Sequence, residues 1–233
     1  AHLALGEMDA AETNLVSVIN NPETSVEELQ DAAYQSIRLN NFDLAIKALE
    51  KAIQNTGDFS PLMVMDLAAA YTSQNQRREA LEALDLEVKH FLQYPELALL
   101  KADILDYLGQ YQPALAALRI IDSVAETQLE NNPDRLKAYA KSPLLYPVDF
   151  SIAGYQYRLG QLCRALGKNE DAIAHLHAAL ESNPKNFKIR LACAETHTLN
   201  MAFQTSLDLL SEVTVEQKDQ DSLDITCLKS ELT

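Results

Sequence analysis

The chain has 233 residues, with 19 Lys and Arg against 34 Asp and Glu and a formal charge of −15, which disfavours nucleic-acid binding, since duplex phosphates need clustered basic side chains. It is 47% hydrophobic, too apolar for a disordered tail, yet it holds no apolar run of about 18 residues that would insert into a membrane. Only 6 glycines and no Trp occur, which argues against a Gly-rich nucleotide-binding protein or a turn-dense β-protein.

The length allows one large or two small domains, with a core that needs no disulfides or metals. Three cysteines imply no disulfide framework and favour a reducing compartment such as the cytoplasm. The first residues, Ala1-His2-Leu3-Ala4, have neither a basic start nor a long apolar stretch, so they do not read as a signal peptide. The missing initiator Met and the mid-repeat ends described below lead us to expect a processed form or a piece of a longer protein.

A small residue followed four positions later by Leu recurs along the chain. It occurs at Ala11 and Leu15, Ala45 and Leu49, Ala80 and Leu84, Ala114 and Leu118, Ala172 and Leu176, and Ser206 with Leu210. The offsets are 34, 35, 34, 58 and 34, so the long one reads as one repeat plus 24 residues. Five residues before each small residue stand Gly6, Asn40, Asn75, Gly109, Gly167 and Met201. Gly and Asn tolerate the left-handed conformation that ends a helix. Twelve residues before stand Ala33, Ala68, Ala102, Gly160 and Ala194, small enough to let two helices approach closely. No window alternates with period two, so helix is expected throughout.

In chain order, residues 1–25 are expected to be mostly one helix of a partial repeat. Full repeats are expected over 26–60, 61–94 and 95–128, which complete an N-terminal half-array, 1–128. An insertion over 129–152 separates it from a C-terminal half-array, 153–233. That half comprises repeats 153–186 and 187–220 and a partial repeat 221–233, whose helix would pack through Leu223, Ile225, Leu228 and Leu232. Pro61 and Pro95 open helices at positions where a missing N–H costs nothing, and Pro113 falls in a first turn.

This phase, best kept at Leu159-Gly160, Gly167, Ala172, Leu176, Ala179 and Pro184, resembles the tetratricopeptide repeat, a helix–turn–helix unit of about 34 residues. The resemblance covers nearly the whole chain. The family's fourth-position aromatic is replaced by Leu29, Val64, Ala98, Gln156 and Arg190. The resemblance implies an all-α, right-handed α-solenoid of antiparallel A and B helices whose A helices line a concave groove. On that basis the groove carries Tyr34 and Arg38, Met65, then Leu99, Asp103, Asp106 and Tyr107, then Tyr157, Gln161 and Arg164, and finally Glu195. Asp103 and Asp106, three apart on one helix face, could receive a ligand cation or be solvated acids. The Lys/Asn/Lys/Arg clamp with which chaperone adaptors of this family hold a C-terminal carboxylate is absent.

Within the insertion, Asn132-Pro133-Asp134 signals a short helix over about 133–141. The proline-bounded 142–147 reads as extended. Asp149 is the expected N-cap of the next A helix. The segment is either a spacer between half-arrays or a recognition element whose Leu144, Leu145 and Tyr146 pack in or beside the groove.

No catalytic or metal signature is visible. His175 and His177 are two apart and point to different faces of one helix, so they cannot share a metal. Cys163, Cys193 and Cys227 fall on core positions and read as small buried hydrophobes, and His197 as a satisfied core histidine. No GxSxG, phosphate-binding loop or dinucleotide fingerprint occurs. The expectation is therefore no enzymatic activity in this segment and no cofactor. The leading function is a scaffold that binds a peptide or protein segment, with end-to-end self-association possible through open array ends. The alternative is an arm of a larger glycosyltransferase, protease or polysaccharide-export machine. Charge is uneven, net −12 over residues 1–128 and net +1 over 129–210, which could orient a polar partner.

Overall fold

The computed structural model describes residues 8–130, 137, 142–144 and 149–211. Among them there is no strand, and the helices follow the repeat phase. Helix α1 (Met8–Asn20) precedes two pairs, α2 (Val26–Arg38) with α3 (Phe42–Asn55) and α4 (Pro61–Ser73) with α5 (Arg77–Asp85). A short 3-10 turn, Val88–His90, leads to α6 (Pro95–Tyr107), α7 (Tyr111–Arg119) and α8 (Ala125–Glu130). After the insertion come α9 (Ile152–Ala165) with α10 (Asn169–Ser182), and α11 (Phe187–Leu199) with α12 (Phe203–Ser211). The expected helix over 221–233, and that over 133–141 apart from the helical residue 137, lie outside the described residues.

Contacts group the chain into two compact units. One comprises residues 1–104 and 131–148, the other 105–130 and 149–233.

The helix ends follow from local chemistry. Ser25 begins α2 with a capping box: its hydroxyl accepts from the Glu28 N–H, and the Glu28 carboxylate accepts from the Ser25 N–H. Asn41, Ser60 and Asn186 cap α3, α4 and α11 in the same side-chain manner. Asp149 is not the cap of α9, as expected; Ser151 is, its hydroxyl accepting from the Gly154 N–H at 3.1 Å. Asp149 instead receives the Ser151 N–H at 2.9 Å, and its carbonyl would lie 2.6 Å from a β-carbon at Gly154. Only glycine fits there.

Each A helix ends alike. Asn40, Asn75, Gly109, Gly167 and Met201 all have positive φ, between 58° and 72°. The next N–H then reaches back five residues, as Asn41 to the Ser36 carbonyl (2.9 Å), Gln76 to Tyr71 (2.8 Å) and Lys168 to Cys163 (2.8 Å). This bond satisfies carbonyls that the helix end leaves open.

The phase residues form the core. Ala45, Ala80, Ala114 and Ala172 have no exposed surface, and neither do Leu49, Leu84, Leu118 and Leu176. Burying each such Leu contributes about 1.5–3 kcal/mol. In the first unit, Ala11, Leu15, Ala32, Ala33, Leu49 and Leu67 join one apolar cluster. In the second, Leu176 packs with Ala192 and Cys193, and Ala179 with Ala153 and Ile189.

Candidate partner-binding faces

In the first unit, Tyr34 on α2 donates its phenolic hydrogen to the Asp66 carboxylate on α4 at 2.7 Å. Gln30, one turn earlier, donates to the Tyr34 oxygen at 3.2 Å. The other Asp66 oxygen accepts from the Ser142 hydroxyl, 76 residues along the chain. Both Asp66 and Ser142 are buried. Burial pushes the Asp66 carboxyl up to about 6, against the two hydrogen bonds that favour its charged form. Burial, and then the Asp66 charge, hold the Tyr34 phenol well above its ordinary range. The Leu144 N–H turns back to the Ser142 hydroxyl at 3.2 Å, and Leu144 packs against the first unit's core. Residues 143 and 144 form a turn rather than the extended stretch expected. Leu145 and Tyr146 lie outside the described residues.

Arg38 is exposed at the end of α2. Met65 and Leu99 are fully buried and do not line a surface, contrary to expectation. The reason is local: every residue of α4 from Met63 to Ala68 is buried, as is every residue of α6 from Pro95 to Leu100. A helix buried all round has no outward stripe to lend. Asp103 is half-buried, while Asp106 and Tyr107 are exposed at the end of α6.

In the second unit, Tyr157, Gln161 and Arg164 rise along one stripe of α9 and meet α11. Gln161 donates to the Tyr157 oxygen at 2.6 Å, and the Arg164 guanidinium pairs with Glu195. The Lys188 ammonium lies 5.5 Å from the Tyr157 ring centre, within cation–π range. Four of the residues expected on the lining thus share one half-buried polar face.

The histidines separate as their spacing requires. His175 Nδ1 lies 2.8 Å from the Gln156 side-chain oxygen. His177 turns to the next A helix, where its Nε2 lies 2.9 Å from His197 Nε2. Burial holds His175 and His197 below the ordinary imidazole range, and His177 adds to the effect on His197. His197 is not the satisfied core residue expected, because its buried Nδ1 has no hydrogen-bond partner. Cys163 and Cys193 are buried, and burial raises both thiols, Cys193 to about 11. Cys227 lies outside the described residues. Cys193 stands one turn before His197, and the ligand-capable atoms of His177, Cys193 and His197 all lie within 4.8 Å of one another. Spacing along one helix could not reveal this trio, because it spans two.

Residues 153–186, which take in nearly all of α9, all of α10 and the turns after each, match the tetratricopeptide repeat family model. These residues are one tetratricopeptide repeat. No curated protein matches this repeat protein by sequence. Among solved structures it is similar to MamA from Desulfovibrio magneticus RS-1, at 16% identity and a TM-score of 0.64, over 84% of this chain and 97% of that one. It is similar to YrrB, described as a tetratricopeptide-repeat protein with an unusual peptide-binding site, at 15% identity and a TM-score of 0.61, over 92% of this chain and 97% of that one. TTC0263 of Thermus thermophilus matches at 17% identity and a TM-score of 0.53, over 89% of this chain and 97% of that one. At these identities the likeness is one of fold: all-α, an α-solenoid of antiparallel helix pairs. No helix among the described residues is long and apolar enough to cross a membrane.

Proposed function

We propose that this repeat protein is a non-catalytic scaffold that binds a peptide or protein segment on its A-helix faces. Repeat arrays offer extended surfaces for partners, and their scaffolds are generally non-catalytic. The observation that carries the reading is the seat of Ser142 and Leu144. A short stretch of chain from outside the helix pairs lies against the first unit, held by a hydroxyl on Asp66 of α4 and by an apolar side chain packed on the unit's core. A face that accepts one such segment has the chemistry to accept another. In the second unit, Tyr157, Gln161, Arg164 and Glu195 supply a comparable face with both charges and an aromatic ring, and Tyr and Arg are frequent interface anchors. YrrB has a peptide-binding site, and we extend peptide recognition to this chain on the likeness of fold.

The test is capture of partners by the immobilised chain, identification by mass spectrometry, and titration of peptides from the captured partner. Binding that is weakened by Tyr157→Ala supports the reading. Binding that is unaffected by changes on both the α9 and α2 faces would overturn it.

A further inference from the structure

We infer that His177, Cys193 and His197 form a binding site for a borderline divalent metal ion, of the zinc, cobalt and nickel class. Three features of the second unit converge. The donor set is two imidazoles and a thiol with no carboxylate among them, which selects such ions over magnesium or calcium. The geometry is compact: Cys193 and His197 lie one turn apart on α11, and His177 approaches from α10. Ligand atoms around a tetrahedral zinc ion stand about 3.5 Å apart, given bonds of roughly 2.0–2.3 Å. The observed 2.9 Å between the histidine nitrogens, and the 4.8 Å limit on the whole trio, bracket that spacing. Small side-chain rotations therefore suffice.

The third feature is the His197 ring. It sits at a core position, one nitrogen faces another imidazole, and the buried Nδ1 has no partner. A purely structural residue there would be better replaced by an apolar one, because a buried polar atom without a partner destabilises. The two facing Nε2 atoms cannot both carry hydrogen, and coordination gives both lone pairs an acceptor at once, the ring that held the Nε2 proton shifting to its Nδ1–H tautomer. On binding, the Cys193 Sγ–H bond breaks, the proton passes to solvent and the sulfur lone pair joins the metal. Three protein ligands leave a fourth position for water or for a side chain of a partner. His175 takes no part, since its Nδ1 faces Gln156.

The probe is Co(II), added to the chelator-treated full chain and followed by equilibrium dialysis and absorption spectroscopy. The expected result is one Co(II) per chain with a thiolate-to-cobalt charge-transfer band and the intense visible bands of a tetrahedral ion. Zn(II) should displace it. Cys193→Ser should abolish the charge-transfer band, and His177→Gln should weaken binding at least about tenfold. His175→Ala, Cys163→Ser and Cys227→Ser should leave the band in place. His177 is half-exposed, so His177→Gln decides the matter if Cys193→Ser fails to fold. The proposal is overturned if wild type shows no thiolate band, if the band follows Cys163 or Cys227 instead, or if His177→Gln binds Co(II) as wild type does.

Discussion

Gly160 and Leu176 touch across α9 and α10 so closely that a β-carbon at position 160 would stand 2.6 Å from Leu176 Cγ and 2.8 Å from its Cδ2. The equivalent positions of other A helices hold Ala33, Ala68 and Ala194, all fully buried. At this pair the crossing is too close even for the methyl group that the other positions carry. Alanine is the better helix former by about 1 kcal/mol, but overpacking costs roughly 1–3 kcal/mol. At 2.6 Å the clash wins. Gly160→Ala should lower stability by about 1–2 kcal/mol in a denaturant titration, and adding Leu176→Val should recover part of the loss. Strictly additive effects would show that the two residues are not coupled.

The repeat leucines should behave as local keystones. Leu49→Ala or Leu176→Ala should cost about 2–5 kcal/mol. The loss should concentrate in the affected helix pair and its neighbours, because repeats contact only their neighbours. Hydrogen exchange resolved by residue separates this from uniform loosening, which would count against it.

Asp66 should make the first unit weaker as the pH rises through mild acid. Its carboxyl titrates near 3.8 when unfolded and about 6 when folded. Below about 4 both states are protonated and nothing is lost. Between about 4 and 6 the folded state holds the extra proton, so stability falls with rising pH and is flat above. The total is about 2–3 kcal/mol. Asp66→Asn should remove this slope when unfolding is compared at about pH 4.5 and about pH 7, and an unchanged slope would contradict it.

Tyr157→Ala and Arg164→Ala should each weaken binding of an identified peptide by about 1–2 kcal/mol while the helical circular dichroism stays intact. Ser73, exposed at the end of α4, is the control: Ser73→Ala should change little. Isothermal titration with the three variants reads the difference. Equal affinities throughout would move attention to the B-helix faces.

The helical frame was legible because its determinants are local. A small residue at position 45 or 172 and a Leu four later state which helix face is buried, and Asn40 or Gly167 states where the preceding helix ends. Sites proved less legible where they depend on pairing between helices. Nothing near Ser142 announces Asp66, 76 residues away. Met65 is a lining residue by the repeat resemblance, but neighbours cover α4 on every side from Met63 to Ala68. His177 and His197 belong to different elements, and only the antiparallel stacking of α10 on α11 brings their rings to 2.9 Å.

Among the described residues, the five left-handed ones that end A helices are not equivalent. Gly109 and Gly167 adopt the conformation freely, and Asn40 and Asn75 adopt it with little penalty. Met201 alone places a long side chain there, at φ 58° and largely in solvent, where a β-carbon costs about 1–2 kcal/mol. That turn holds unused thermal headroom. Met201→Gly should raise the melting temperature of the α11–α12 pair even though it removes atoms and adds no contact, so a strained turn becomes a point of reinforcement.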